Sequence, residues 1–459
     1  MAFADLRETV AALRERGRLL EISAPLSPVH EAAAVLAVAG QRGEGAVYLS
    51  RVGAHPVPVV GNLFYGRELL AWAMDADEPD LPAELARRLA RPVPAREVPA
   101  GAEAPVLDHP EPDDRPLEDS FPLLTHCRED SAPYVTTGLV SARDPETGAA
   151  ARGIHRMELR GPRQLGVALV NPPLSQLYAR VKARGETLPA AVAIGVDPLT
   201  FACFALRGVP GVDKLAVAGG LRGRPVEVVA APLTGIPVPA RAEFLLEGEV
   251  DPSDERPDGP LGEVNGYSLV FPASPTFRVQ RITHRPSPLY HALHPLGAEG
   301  DLLLALVSEA NTAPRVRSLF PFLRELHYVP GTCGLCVVAR LDTAPREEIR
   351  GLLLQLLTLG VVKKAVAVAA DVDPADPRRV EWSLATRFQP ARDLLVIDDL
   401  KALPIDPSCP APFRTSKLAL DATGYERAGD RRPAEIEPRA LGRARALLGA
   451  LPSGRHAHG

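Results

Sequence analysis

The run Tyr134-Val-Thr-Thr-Gly-Leu-Val-Ser-Ala142 opens the part of the chain whose reading decides the fold. It is the first of a series of short β-like runs, at 134–142, 153–160, 165–170, 225–231, 241–250 and 276–283, with Gly/Pro turns between them. Many short strands punctuated by turn residues predict a barrel or sandwich over roughly 133–290. A helical run at 174–184 and a stretch around 212–221 interrupt it.

The texture changes on both sides of this region. Toward the N-terminus, Leu6, Val10 and Leu13 recur at helical spacing and Gly17 is placed to end the helix. Val47-Tyr48-Leu49 and Val57-Pro58-Val59-Val60 read as short strands, followed by helical patterns at 67–76 and 81–91. Residues 92–118 carry many Pro, Asp and Glu and no apolar period, which marks a boundary or a surface crossing. Beyond 300 the order is helix 300–310, strand 335–341, helix 345–359, strand 364–370, helix near 377–388 and strand 393–397. That alternation predicts an α/β domain. The Ala/Leu/Arg-rich end, 434–450, reads as a helix suited to packing on a neighbouring subunit.

A chain of 459 residues, 46% hydrophobic and 24% charged, has the make-up of a globular, water-soluble protein of two or three domains. A net charge of −5 offers no basic footprint for nucleic acid or an anionic membrane. No apolar run approaches the roughly 20 residues that span a bilayer. Charges stand in Met1-Ala-Phe-Ala-Asp-Leu-Arg-Glu8 where a signal peptide needs its apolar stretch, so a cytoplasmic location is expected. Five cysteines, an odd number, make no disulfide framework. Cys333-Gly-Leu-Cys336 has no second pair to complete a zinc site and reads as small residues entering a buried strand.

Three segments carry candidate chemistry. In Gly153-Ile-His-Arg-Met-Glu-Leu159, strand alternation puts Arg156 and Glu158 on one face with Ile154. In Asp258-Gly-Pro-Leu-Gly-Glu263, Pro260 and two glycines exclude a helix and present two carboxylates from a turn entering a strand at 267–271. A Glu shielded from water there holds a proton to higher pH and can deliver it, while a nearby Arg keeps the other acid ionised. In Glu243-Phe-Leu-Leu-Glu-Gly-Glu-Val250, alternation gathers Glu243, Glu247 and Glu249 on one face. Such a face either holds a hard cation such as Mg²⁺ or Mn²⁺ or is the wet side of an antiparallel sheet. Gly219-Gly220-Leu-Arg-Gly223 lacks the Lys-Ser/Thr of a phosphate loop and reads as a hairpin turn. His291 and His294, followed at once by Pro295, lack a third metal ligand.

Taken in order, these segments resemble the UbiD family of prenylated-flavin-dependent decarboxylases. The likeness begins at Asp5-Leu-Arg-Glu8 and Gly17-Arg-Leu-Leu20. It is sharpest in Tyr134-Val-Thr-Thr-Gly-Leu-Val-Ser-Ala-Arg-Asp-Pro-Glu-Thr-Gly148, running into Gly153-Ile-His-Arg156. It continues in Val238-Pro-Ala-Arg-Ala-Glu243 with Glu247-Gly248, and in Asp258-Gly-Pro-Leu-Gly-Glu-Val-Asn-Gly-Tyr267. Val380-Glu-Trp-Ser-Leu-Ala-Thr-Arg387 and Ser416-Lys-Leu-Ala-Leu-Asp-Ala-Thr423 extend it almost to the end.

The resemblance implies a mixed α/β protein of three domains: an N-terminal α/β domain (1–115), a central split β-barrel like that of flavin reductases (116–300) and a C-terminal α/β domain (301–459) ending in an oligomerisation helix. It implies reversible loss of CO₂ from an aromatic or α,β-unsaturated acid, with prenylated FMN as electron sink, supplied by a separate flavin prenyltransferase. A homo-oligomer, dimer or hexamer, is expected, as are Mn²⁺ or another divalent cation and K⁺ at the flavin phosphate. Residue by residue, Arg156 matches the active-site arginine that also meets the cofactor, Asp258 its partner carboxylate and Glu263 the proton donor. Glu243 matches the acidic ligand of the metal that anchors the flavin.

The departures concern that anchor. Where the family has a metal-binding Asn and His, the chain has Ala151 and Leu174, and no histidine lies between His155 and His284 to replace the second. Asp258 stands where Glu is usual. Loss of two ligands leaves open a second reading, a UbiD-like accessory subunit of a multi-subunit carboxylase without catalysis of its own.

Overall fold

In the computed structural model, which describes residues 3–78, 81–148, 150–205, 212–409, 413–424, 434 and 436–449, the first helix runs from Leu6 to Glu15. Asp5 caps it by accepting the Glu8 N–H at 3.0 Å, and Leu6, Val10 and Leu13 turn one buried stripe inward. Gly17 follows at φ 65°, a left-handed turn that favours glycine. Strands Leu19–Ile22, Ala46–Leu49, Val59–Gly61 and Tyr290–His291 form one sheet in that order. The last of these comes from far along the chain and ties the N-terminal layer to the middle of the molecule.

That middle is a closed barrel. Strands Phe244–Gly262, Leu188–Ile194, Tyr134–Arg143, Ala150–Gly161, Gln164–Val167 and Ser268–His284 pair in this order, and the first pairs with the last. Closure removes the unpaired edges an open sheet would expose. Both faces of the wall are apolar. Val140, Val192, Phe244 and Leu246 pack in one core, while Leu139, Ala191, Ala193 and Leu245 pack with the N-terminal helix in another. Each Val, Leu or Phe side chain among them contributes about 1.5–3 kcal/mol through its burial. At the closing seam, a Cβ on Gly248 would stand 1.9 Å from the Arg278 carbonyl oxygen, so only glycine fits.

The Pro/Asp/Glu-rich stretch 92–118 crosses the surface in contact with this wall. Arg96–Glu97 pairs with strand Glu227–Ala230, and His109–Pro110 adds to the barrel beside Ser268–His284. The C-terminal sheet orders as Leu323–Tyr328, Cys336–Leu341, Lys364–Ala369, Arg414–Ala422 and Leu394–Lys401, its three central strands parallel. Helices Arg346–Leu357 and Pro377–Arg387 cover it. The helix expected at 300–310 runs from Ala298 to Leu319. Its buried Glu299 accepts the N–H groups of Asn62 at 3.0 Å and Phe64 at 3.1 Å, fastening the C-terminal half to the N-terminal layer.

Two local readings are corrected. Gly219 and Gly220 lie inside helix Lys214–Arg222 rather than in a hairpin. Built Cβ atoms there would stand 2.3 Å from the Val93 carbonyl oxygen and 2.5 Å from that of Arg91, so the glycines admit a passing backbone. Asp258-Gly-Pro-Leu-Gly262 is not a free turn but the far, bulged end of strand Phe244–Gly262; the turn proper follows, with Gly266 N–H donating to the Glu263 carbonyl at 2.8 Å. Among the described residues no helix is long and apolar enough to cross a membrane.

Candidate active site

Strand Ala150–Gly161 carries Arg156 toward the long hairpin formed by Phe244–Gly262 and Ser268–His284. The guanidinium donates Nε to Asp258 Oδ1 at 2.8 Å, and Nη2 lies 2.6 Å from the same oxygen. Nη1 donates to Glu263 Oε1 at 2.5 Å, and Nη2 to the Leu269 carbonyl at 3.1 Å. The Phe271 ring lies beneath, its centroid 4.5 Å from the guanidinium carbon. Bulges between Arg256 and Asp258, and between Asp258 and Leu261, aim both acids at one arginine. The sequence-predicted trio therefore meets at one point.

The two acids are not equivalent. The Asp258 side chain is fully buried, and its Oδ2 has no hydrogen-bond partner among the described residues. The Glu263 side chain keeps 24% of its surface open, so it is the acid that another molecule can reach. Burial raises the pKa of each above the ordinary carboxylate value, and the charge of Arg156 only partly offsets this. For Arg156, burial alone would lower the pKa, but Asp258 and Glu263 outweigh it and hold the cation firmly charged. One fixed cation thus faces two acids that both resist ionisation, an arrangement suited to keeping one transferable proton.

Glu158 shares the face of Arg156, as expected, and is buried behind it. Its carboxylate accepts from Tyr134 Oη at 3.1 Å and Arg160 Nε at 3.2 Å, and from Ser131. On the open side, Asn265 Nδ2 donates to the Ile405 carbonyl at 2.7 Å, so the turn beyond Glu263 rests on the C-terminal domain. Cys333 is buried there, its pKa raised to about 11 by burial and by the nearby charges of Asp301 and Glu263. Sequence reasoning missed His126, whose ring stands 5.8 Å from that of His294. Burial pushes the pKa of His126 down to about 3, so it is neutral at pH 7.

The glutamate row does not form a metal site. Glu243 is fully buried and accepts from Arg7 at 2.8 Å, Arg285 at 3.2 Å and the Leu289 N–H at 3.1 Å. Glu247 accepts the N–H groups of Leu233 and Thr234, both at 2.9 Å, and Glu249 accepts from Thr187 at 2.9 Å. The row is therefore neither a cation cluster nor a wet face: each acid has its own donors. Ala151 and Leu174 are buried among carbon in the barrel core and offer no donor atom. Among the described residues no three His, Cys, Asp or Glu side chains gather to hold a metal ion. A divalent cation does not fit the residues present.

Three sequence profiles match the chain in succession. They are the 3-octaprenyl-4-hydroxybenzoate carboxy-lyase N-terminal domain over residues 10–89, the Rift-related domain of the same enzyme over 98–298 and its C-terminal domain over 301–422. The chain belongs to the UbiD family. It is 29% identical over 419 residues to an anhydromevalonate phosphate decarboxylase of Methanosarcina mazei, with 91% of this chain and 95% of that protein covered. The UbiD-class enzyme HmfF from Pelotomaculum thermopropionicum, solved in complex with FMN, superposes with a TM-score of 0.91 at 31% identity, covering 97% of this chain and 100% of that one. An evolved dimeric form of HmfF in complex with prFMN gives a TM-score of 0.86 at 30% identity over 95% of this chain and 97% of that one.

The family makes this chain a carboxy-lyase. The donor set fits a flavin better than it fits a metal. Arg156 offers a fixed cationic N–H edge, and two further buried cations stand nearby. Arg152, on the same strand, donates Nε to Asp213 at 2.9 Å and Nη1 to Ser141 Oγ at 2.7 Å and the Pro237 carbonyl at 2.9 Å. Lys214 donates Nζ to the Phe204 carbonyl at 2.8 Å. Neither was singled out in the sequence; the available signal was a cation beside Ala151, where an uncharged ligand was expected.

Proposed function

We propose that the chain is a reversible, non-oxidative decarboxylase of an aromatic or α,β-unsaturated carboxylic acid and that it uses prenylated FMN. The observation that carries this reading is Arg156 held between buried Asp258 and accessible Glu263. When bound, the flavin supplies the electron sink for loss of CO₂. The chain's own residues orient and protonate. Arg156 pairs with the substrate carboxylate and fixes its direction. Asp258 holds Arg156 at Nε and does not touch the substrate. Glu263, whose raised pKa keeps a proton available, delivers it to the carbon that CO₂ leaves and reclaims one in the carboxylation direction. The same reading brings a flavin prenyltransferase as supplier of the cofactor, self-association through the C-terminal helix and work in the cytoplasm.

The test is co-expression with a flavin prenyltransferase, followed by exchange of ¹³CO₂ into a panel of aromatic and α,β-unsaturated acids. Exchange is expected in the wild type and lost in Glu263→Gln with the flavin still bound. A flavin-loaded wild type that exchanges with no acid in the panel refutes the enzyme reading and favours the accessory-subunit reading. Exchange retained in Glu263→Gln refutes the assignment of the proton donor.

A further inference from the structure

We infer that this chain holds the flavin's phosphate with its own cations, Arg152 and Lys214, and needs no divalent metal there; the inference rests on the flavin reading above. The case begins with what fills the expected metal positions. Ala151 and Leu174 belong to the barrel core, and a Cβ added at Gly153 would stand 2.9 Å from His155 Nε2 and 3.5 Å from Leu174 Cδ1. That space is packed. Glu243, the third expected ligand, is already shared by two guanidiniums, and an added cation would be repelled by both.

Positive charge is instead supplied by side chains. Arg152 and Lys214 keep only 3% and 7% of their surface, yet among the described residues the one carboxylate bonded to either is Asp213, which is itself engaged by Arg152 and in capping helix Lys214–Arg222 at the Leu215 N–H, 3.0 Å away. Among the described residues Lys214 Nζ has one acceptor, the Phe204 carbonyl, and two of its three ammonium hydrogens have no partner there. A buried ammonium is stable only when an anion or several acceptors complete it. The strain is already visible in its pKa, which burial lowers to about 8.

Position and charge both fit a phosphate. Residues 152, 154 and 156 share one face of strand Ala150–Gly161, and four residues of strand separate Arg152 from Arg156 by about 13 Å. That is the order of the distance from a flavin's ring to the phosphate at the end of its ribityl chain. A ring at Arg156 therefore puts its phosphate near Arg152. Lys214 is close enough to this strand to depress the His155 pKa. A phosphate dianion would neutralise Lys214, accept its remaining ammonium hydrogens and stand within the field of Arg152.

The experiment compares FMN with riboflavin, which lacks the phosphate, by flavin-fluorescence titration of the full chain in EDTA and in MnCl₂. FMN is expected to bind at least about tenfold tighter than riboflavin, as one charge-assisted contact requires. EDTA and Mn²⁺ are expected to change nothing. Lys214→Met should weaken FMN about tenfold and riboflavin less than about twofold, and Lys214→Arg should restore FMN. Thermal melting of each variant reports whether it is folded, and the wild-type comparison needs no variant. Loss of FMN in EDTA, equal affinity for the two flavins, or equal weakening of both in Lys214→Met overturns the inference. Failure of both flavins to bind overturns it together with the flavin reading, whereas absent ¹³CO₂ exchange with phosphate-dependent FMN binding sinks the decarboxylase alone.

Discussion

Replacing Arg156 by Met removes the one cation that, among the described residues, is in contact with Asp258, while keeping much of the side-chain volume over Phe271. A fully buried carboxylate left without its counter-ion has two ways out: stay charged at the full cost of burial, or take up a proton. The second sets a ceiling. An Asp with an ordinary pKa of 3.8 costs about 1.4 kcal/mol to protonate for each pH unit above that value. The ceiling is therefore about 4 kcal/mol at pH 7 and about 1.6 kcal/mol at pH 5. The sign follows from linkage. In the variant the folded pKa of Asp258 lies far above the unfolded one, so stability is unaffected below 3.8 and is lost as pH rises toward the folded pKa. Urea denaturation at pH 5 and pH 7 measures it: the gap between wild type and Arg156→Met should widen, by up to about 2.7 kcal/mol, on going to the higher pH. Adding Asp258→Asn should recover most of the loss at pH 7 without recovering decarboxylation. A gap that is equal at the two pH values, or a double variant no more stable than the single one, refutes the reading of Asp258 as a carboxylate held in place by Arg156.

Four further outcomes follow from the same geometry. Glu263→Gln should lower kcat by about 10²–10⁴-fold with little change in the melting temperature, because the lost group is an accessible proton carrier. In the wild type, decarboxylation kcat should fall as pH rises through the raised pKa of Glu263, since the protonated form is the active one; a stopped-flow profile with no fall anywhere above the ordinary carboxylate range contradicts this. Glu243→Ala should cost about 3–5 kcal/mol, because Arg7 and Arg285 lose a buried partner, while metal content measured by mass spectrometry stays the same. Gly248→Ala should destabilise or unfold the barrel, since the new methyl group meets the Arg278 carbonyl backbone; a variant melting within a degree of wild type would show that the seam can move.

What could be read from the sequence was what depends on neighbours in the chain. The helix at Leu6–Glu15 follows from apolar spacing over a few turns, and the alternation of Arg156 with Ile154 and Glu158 from the pleat of one strand. Asp258 and Glu263 could be paired with Arg156 through resemblance, though the bulges that aim them are properties of the closed hairpin. What could not be read depends on partners far away. Glu243 meets Arg7 across 236 positions of sequence, and nothing local distinguishes an acid awaiting a metal from one awaiting a guanidinium. Gly219 and Gly220 looked like a turn because their reason for being glycine is the backbone of Arg91 and Val93, which only the fold brings near. Strands Leu323–Tyr328 and Arg414–Ala422 went unread, one with charges at Arg324 and Glu325, the other wet along much of one face.

The findings at the acidic row and at the metal positions bear on one another. An enzyme that anchors a phosphate through a divalent ion needs anionic or neutral oxygen and nitrogen ligands around it, and every nearby guanidinium works against that ion. Here the acid expected to bind the ion is neutralised by Arg7 and Arg285, the neutral ligand positions are carbon, and Arg152 and Lys214 bring buried positive charge to the strand of Arg156. Each change alone would weaken a metal site; together they reverse the sign of the charge that site presents to a phosphate's counter-ion while keeping it favourable to the phosphate itself. The trio proposed for the chemistry is untouched, since Arg156, Asp258 and Glu263 draw their partners from the hairpin and not from the anchor. Exchanging the anchor is therefore compatible with keeping the chemistry, and the loss of metal ligands is by itself no argument that catalysis has been lost.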